Sequence, residues 1–146
     1  MGQITRAYTQ TGTVRFDALG EIRDKHPELR ELNWGNVYTR PDLQIRAVVF
    51  KMKDNYQYYI RYADSDNALA FADAAYNGGI GGTDAERRAC KIATSCNPSQ
   101  WFDNVEKFCL KSKAALYGQR SACDINRHHV KDVLVTRAPK YKKYFQ

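Results

Sequence analysis

Apolar residues recur at three- and four-residue steps along most of this chain, the spacing of helices that bury one face. The pattern predicts a first helix from Phe16 to His26, stopped by Pro27. Thr39-Arg40-Pro41 opens the longest one, with proline at a first-turn position. Along it Ile45, Val49, Met52, Tyr56 and Tyr59 form one stripe, and Leu43, Ala47 and Phe50 a second. Its first half is therefore apolar on most sides and is expected to be a buried central helix.

An alanine-rich helix follows, in which Leu69, Phe71, Ala72, Ala75 and Tyr76 recur at helical steps and small side chains allow close packing. Gly78-Gly79-Ile80-Gly81-Gly82 has too much backbone freedom to stay helical and should end it. Thr83-Asp84-Ala85-Glu86 reads as a capping box opening the helix that carries Arg87 and Arg88. Asn97-Pro98 is expected to start another helix with Trp101, Phe102 and Val105. The last runs from about Asp124 to Thr136, with Val130, Val133 and Leu134 on its apolar side. Strand-like residues occur only near Thr11 to Arg15, so the fold class is mainly α, a single domain spanning 1–146.

Charge changes the picture. Residues 1–86 carry 10 Lys and Arg against 12 Asp and Glu, whereas residues 87–146 carry 13 against 4. A basic C-terminal part favours polyanions such as cell-wall polymers or nucleic acid. The tail Arg137 to Phe145 interleaves cations with aromatics, a composition suited to a nucleic-acid strand, or else to a solvated helix end with Tyr141, Tyr144 and Phe145 tucked against the domain. No apolar run is long enough to span a bilayer, and Met1 to Gln10 lack the apolar core of a signal peptide.

All four cysteines, Cys90, Cys96, Cys109 and Cys123, lie in the last 57 residues, an even count at short spacings. Cys90 with Cys96 and Cys109 with Cys123 is the favoured pairing, the second closing a loop with little helical pattern of its own. Zinc ligation joined by His128 or His129, and buried thiols, are the competing readings; no CxxC pair supports a metal, and none is expected. Disulfides would place the working protein outside the reducing cytosol.

The end of the alanine-rich helix carries the most distinctive chemistry. Tyr76 offers a ring that can stack on a sugar face and Asn77 an amide that can bond hydroxyl or N-acetyl groups. A core aromatic beside a plain C-terminal cap is the alternative from local sequence alone. Ala74-Ala75-Tyr76-Asn77-Gly78-Gly79 resembles the Ala-Tyr-Asn-x-Gly signature of the lytic transglycosylases, in the lysozyme-like superfamily. Met1-Gly2-Gln3-Ile4 resembles that family's Gly-Leu-Met-Gln-Ile segment. Asp84 to Glu106 and Asp124 to Val130 are similar to later stretches of phage-type relatives.

The resemblance implies a lysozyme-like helical domain that cleaves the β-1,4 bond between N-acetylmuramic acid and N-acetylglucosamine, with glycan strands as partner and no cofactor. One glutamate would protonate the leaving oxygen and then take a proton from the muramoyl C6 hydroxyl, so no second carboxylate is required, unlike paired-acid glycosidases. That glutamate precedes the Gln3 segment in the family, and no residue here aligns with it. The chain is thus expected to be the larger, C-terminal part of such a domain, lacking the catalytic helix, with self-association through the apolar surface this leaves bare. Location would be periplasmic, extracellular or virion-associated. Gln3 would line the cleft, Tyr76 and Asn77 orient the sugar, and Gly78-Gly79 permit close approach. His129 stands where relatives carry tyrosine and would donate a hydrogen bond to the acid or substrate.

Other carboxylates have simpler explanations: Glu21 belongs to a solvated face and Glu86 to the cap, while Asp73 and Glu106 could face a cleft. Serine or cysteine nucleophile arrangements and a phosphate-binding glycine loop have no supporting spacing. A non-catalytic basic protein that binds glycan or nucleic acid is the alternative function, for instance a phage structural component.

Overall fold

The computed structural model describes residues 5–144 and is mainly helical. Gln3, expected in the cleft, lies outside the described residues. The chain divides into two compact units, Met1–Asp54 and Asn55–Gln146.

In the first unit, β1 (Arg6–Tyr8) pairs antiparallel with β2 (Val14–Asp17), so strand structure takes in Val14 and Arg15 of the expected stretch and extends beyond it, while Thr11 to Thr13 belong to the connection between the strands. Thr9 and Gly12 make the turn, and Gly12 takes a φ of 82° that other residues rarely adopt. Asp17 then caps α1 (Ala18–Lys25) by accepting from the Gly20 amide at 2.9 Å, and the same carboxylate accepts from Trp34 Nε1. Those hydrogen bonds, the amide's foremost, hold the Asp17 carboxyl below its ordinary range. Leu19, Ile22, Leu29, Leu32, Val37, Leu43 and Ala47 form this unit's core.

The long α2 (Pro41–Tyr59) starts at the expected proline, and the division between units falls inside it. Of its two stripes, the one with Leu43 and Ala47 is buried, while Ile45 and Val49 are 66% and 58% exposed. This helix is therefore not buried on most sides in its first half. In that half one apolar face satisfies the small core and the other is left to solvent, whereas Tyr59, at the far end of the stripe that begins at Ile45, is fully buried in the core of the second unit.

In the second unit, Asp64 accepts from the Asn67 amide at 2.9 Å to open α3 (Ser65–Gly78). A single residue, Gly79 (φ 78°, ψ 147°), turns the chain, and α4 (Ile80–Ile92) resumes at once. Gly81, Gly82 and Thr83 are thus helical, and the expected capping box does not form. Helical glycines cost only about 1 kcal/mol each relative to alanine, and α4 is tied down by the ion pairs of buried Glu86 and the disulfide of buried Cys90.

After α4 the chain forms turns and one 3-10 turn (Val105–Lys107) where a helix from Asn97 was expected. Asp103 adopts a left-handed φ of 60°, which interrupts a helix, yet Trp101 and Val105 still enter the core. A short hairpin, β3 (Ala115–Tyr117) and β4 (Arg120–Ser121), precedes α5 (Ala122–Val130), which is opened by a reciprocal Ser121/Asp124 cap. A π-helical stretch, Lys131–Arg137, leads to α6 (Ala138–Tyr141). Tyr141 and Tyr144 are exposed, not tucked against the domain.

Cys90 bonds Cys96 and Cys109 bonds Cys123, with Cα separations of 5.3 and 6.0 Å, as favoured from the spacing. No thiolate is left for a metal. The bridges suggest an oxidising compartment. Among the described residues, no helix is long and apolar enough to cross a membrane.

Candidate functional site

The alanines of α3 explain what assembles at its end. Ala68, Ala70, Ala72, Ala74 and Ala75 are all buried, so side chains of α5 can reach the α3 backbone. Asn126 on α5, fully buried, donates to the Ala74 carbonyl at 2.9 Å and to Asn77 Oδ1 at 3.2 Å. Three residues on, His129 meets Asp73, its Nδ1 lying 2.8 Å from the carboxylate Oδ2. The His129 ring also stacks on Tyr76, with centroids 6.2 Å apart and 27° between planes. Residues three and four apart on each helix share a face, which is why Asp73, Tyr76 and Asn77 meet Asn126 and His129 together.

Burial of these groups is graded. Asp73 is 2% exposed, whereas the His129 side chain is 35% exposed and Tyr76 and Asn77 are half-buried. The hydrogen bond to Asp73 raises the His129 pKa above its ordinary value and outweighs the burial that opposes it. The imidazole sits against a buried carboxylate that favours its protonated form, with one edge toward solvent. Such an arrangement can donate a hydrogen bond or stabilise an anion while the tyrosine ring offers a stacking surface.

Gly78 and Gly79 do different things. An added Cβ at Gly79 would meet nothing, so that glycine serves the turn. At Gly78 a Cβ would overlap Lys111 Cε and lie 3.0 Å from its Nζ. The close approach that Gly78 allows is therefore that of Lys111, whose Nζ reaches Glu86 Oε1 at 2.7 Å. Glu86 is fully buried and also accepts from the Leu110 amide at 3.2 Å and from Arg127 Nη1 at 2.9 Å. Arg127 donates further to the Glu106 carbonyl and lies 4.7 Å from the Trp101 ring centroid. Glu86, expected as a cap, is instead the anionic centre of a buried ion cluster fastening α4, α5 and the loop after Cys109. Two cations and an amide offset the desolvation that a lone buried carboxylate would suffer.

His128 points elsewhere, lining a cavity of about 270 Å³ with Phe102, Glu106, Arg127 and Lys131. Adjacent helical side chains diverge by about 100°, so the two histidines serve different surroundings. A second cavity, of about 350 Å³, is lined by Tyr58, Tyr62, Arg87 and their neighbours. Neither cavity is lined by Tyr76 or Asn77. Of the carboxylates weighed from sequence, Asp73 joins the Tyr76 cluster, Glu106 accepts from the Asp103 amide at 2.6 Å, and Glu21 is exposed.

The sequence reading missed Asn126, Lys111, Arg127 and the true role of Glu86. Asn126 carried a signal, since it stands three residues before His129 and four before Val130 on one helical face. No protein-family profile, curated protein or solved structure matches this chain.

Proposed function

We propose that this chain is the glycan-holding part of a peptidoglycan-cleaving domain of lytic transglycosylase or muramidase type. In this reading the fold is lysozyme-like and the catalytic glutamate is not one of the carboxylates described above. The observation that carries the reading is the convergence at the end of α3. Tyr76 and His129, singled out separately and 53 positions apart in the chain, stack on one another beside Asn77, half-buried and not sealed in the core.

Each group has a task there. Tyr76 supplies a ring face for a pyranose, and the Asn77 amide addresses hydroxyl or N-acetyl groups. His129, whose protonated form Asp73 favours, would donate toward the sugar or the acid. Exposed Ile45 and Val49, one helical turn apart on α2, provide an apolar strip on which a second copy would pack. The disulfides accord with work outside the cytosol, in the periplasm, the medium or a virion.

Co-sedimentation with purified sacculi, followed by mass analysis of released material, tests this directly. The chain is expected to sediment with sacculi and to release no 1,6-anhydromuramic ends by itself. Release by this chain alone would move the acid inside it, and failure to sediment would contradict the reading.

A second reading rests on the exposed Lys140, Tyr141, Lys142, Lys143 and Tyr144 at the C-terminal end, which suit a nucleic-acid strand. It requires DNA retention that falls steeply with salt.

A further inference from the structure

The 350 Å³ cavity lies where the end of α2 faces α4, and it shares no lining residue with the Tyr76 cluster. Its cations are Arg87, Arg88 and Lys91, with Asp84 the sole carboxylate among its lining residues. Arg87 is fixed in place. Its Nε donates to the Pro98 carbonyl at 3.1 Å, its Nη1 lies 3.4 Å from Asp84 Oδ1, and its guanidinium sits 4.6 Å from the Tyr62 ring centroid. Nη2 donates to no described residue. Asp84 is engaged from the other side by the Tyr58 hydroxyl at 2.6 Å, and that bond raises the Tyr58 pKa to about 12. The phenol therefore stays a neutral donor, and the lining keeps an excess of positive charge.

We propose that this cleft binds the carboxylate end of a short peptide. An anchored guanidinium whose Nη2 is left over can donate to a carboxylate oxygen, and Arg88 and Lys91, both exposed, add charge at the rim. Two observations select this ligand. Guanidinium groups already lie over both rings, Arg61 over Tyr58 at 4.8 Å and Arg87 over Tyr62, so stacking of a base or a sugar is opposed. Asp84 in the wall repels a phosphate dianion more than a monoanionic carboxylate. The volume suits a few residues of peptide and not a polymer track. Together with the proposed function, on which only the polymer's identity rests, the ligand would be the peptide stem carried by the glycan.

Isothermal titration of the intact chain with a free stem tetrapeptide, its C-terminal amide, inorganic phosphate and an oligo-dT tests the proposal. The acid form is expected to bind at least tenfold more tightly than the amide or phosphate. Arg88→Gln with Lys91→Gln is expected to weaken it about tenfold, with an unchanged melting temperature because both side chains are exposed. Equal affinity for acid and amide, no binding at millimolar peptide, indifference to the double substitution, or tighter binding of phosphate or oligo-dT would each overturn it. Peptide-free glycan, titrated separately, reads the Tyr76 cluster, so either assignment can fail alone.

Discussion

Replacing Gly78 with alanine sets helix propensity against the buried ion cluster. Alanine should favour the last turn of α3 by up to about 1 kcal/mol over glycine. Against this, the new methyl overlaps Lys111 Cε and sits 3.1 Å from Asn126 Nδ2. A lysine tip can swing aside, but doing so breaks the 2.7 Å contact with fully buried Glu86. Removing one partner of a buried ion pair costs about 3–5 kcal/mol. Arg127 and the Leu110 amide continue to satisfy Glu86, so about half of that, roughly 2 kcal/mol, is the appropriate share here. The net expectation is a loss of about 1 kcal/mol, read by urea unfolding followed by circular dichroism. In a Lys111→Ala background the cost should vanish or become a gain of up to about 1 kcal/mol. An equal cost in both backgrounds, or a Gly78→Ala protein more stable than the parent, would refute the assignment of Gly78 to the ion cluster.

Other consequences are open to test. Because the Asp73 hydrogen bond raises the His129 pKa, the charged pair contributes fully below the unfolded value of about 6.5 and is lost as pH rises through the elevated folded value. His129→Gln should therefore cost about 1–2 kcal/mol in urea titrations at pH 6 and less at pH 9; a pH-independent difference would contradict the pair. Replacing Cys109 and Cys123 by serine should lower stability by about 3 kcal/mol, and the shorter Cys90–Cys96 loop by about 2, from the 14- and 6-residue separations. Asp64→Ala removes the α3 cap and should cost about 1 kcal/mol in the same assay. Neutralising Lys140, Lys142 and Lys143 should flatten the salt dependence of any DNA retention on a heparin-like or DNA column while leaving glycan binding alone.

Helix content, the proline start of α2 and both disulfide pairings were legible because each rests on local spacing. The extent of α4 was not. Three glycines and a threonine look like a break and a cap, and the contacts that hold α4, Glu86 with Lys111 and Arg127 and Cys90 with Cys96, involve partners further along the chain. The helix expected from Asn97 failed for the opposite reason, since a left-handed Asp103 interrupts it although Trp101 and Val105 are spaced for one face. The two stripes of α2 could not be ranked from periodicity, and the structure buries Leu43 and Ala47 in preference to Ile45 and Val49. At the site, Tyr76, Asn77 and His129 were named from the chain, but the Asp73–His129 contact spans 56 residues and depends on how α5 meets α3. Nor could spacing reveal that Gly78 makes room for a lysine 33 positions later.

Titration of peptide-free oligomers of alternating N-acetylglucosamine and N-acetylmuramic acid into the intact chain bears most directly on the assignment of the Tyr76 cluster. Saturable binding is expected, weakened about tenfold, or about 1.4 kcal/mol, by Asn77→Ala and unaffected by Arg88→Gln with Lys91→Gln, with melting temperatures confirming that each variant is folded. No binding by the parent chain, or binding that a folded Asn77→Ala protein retains in full, would contradict it.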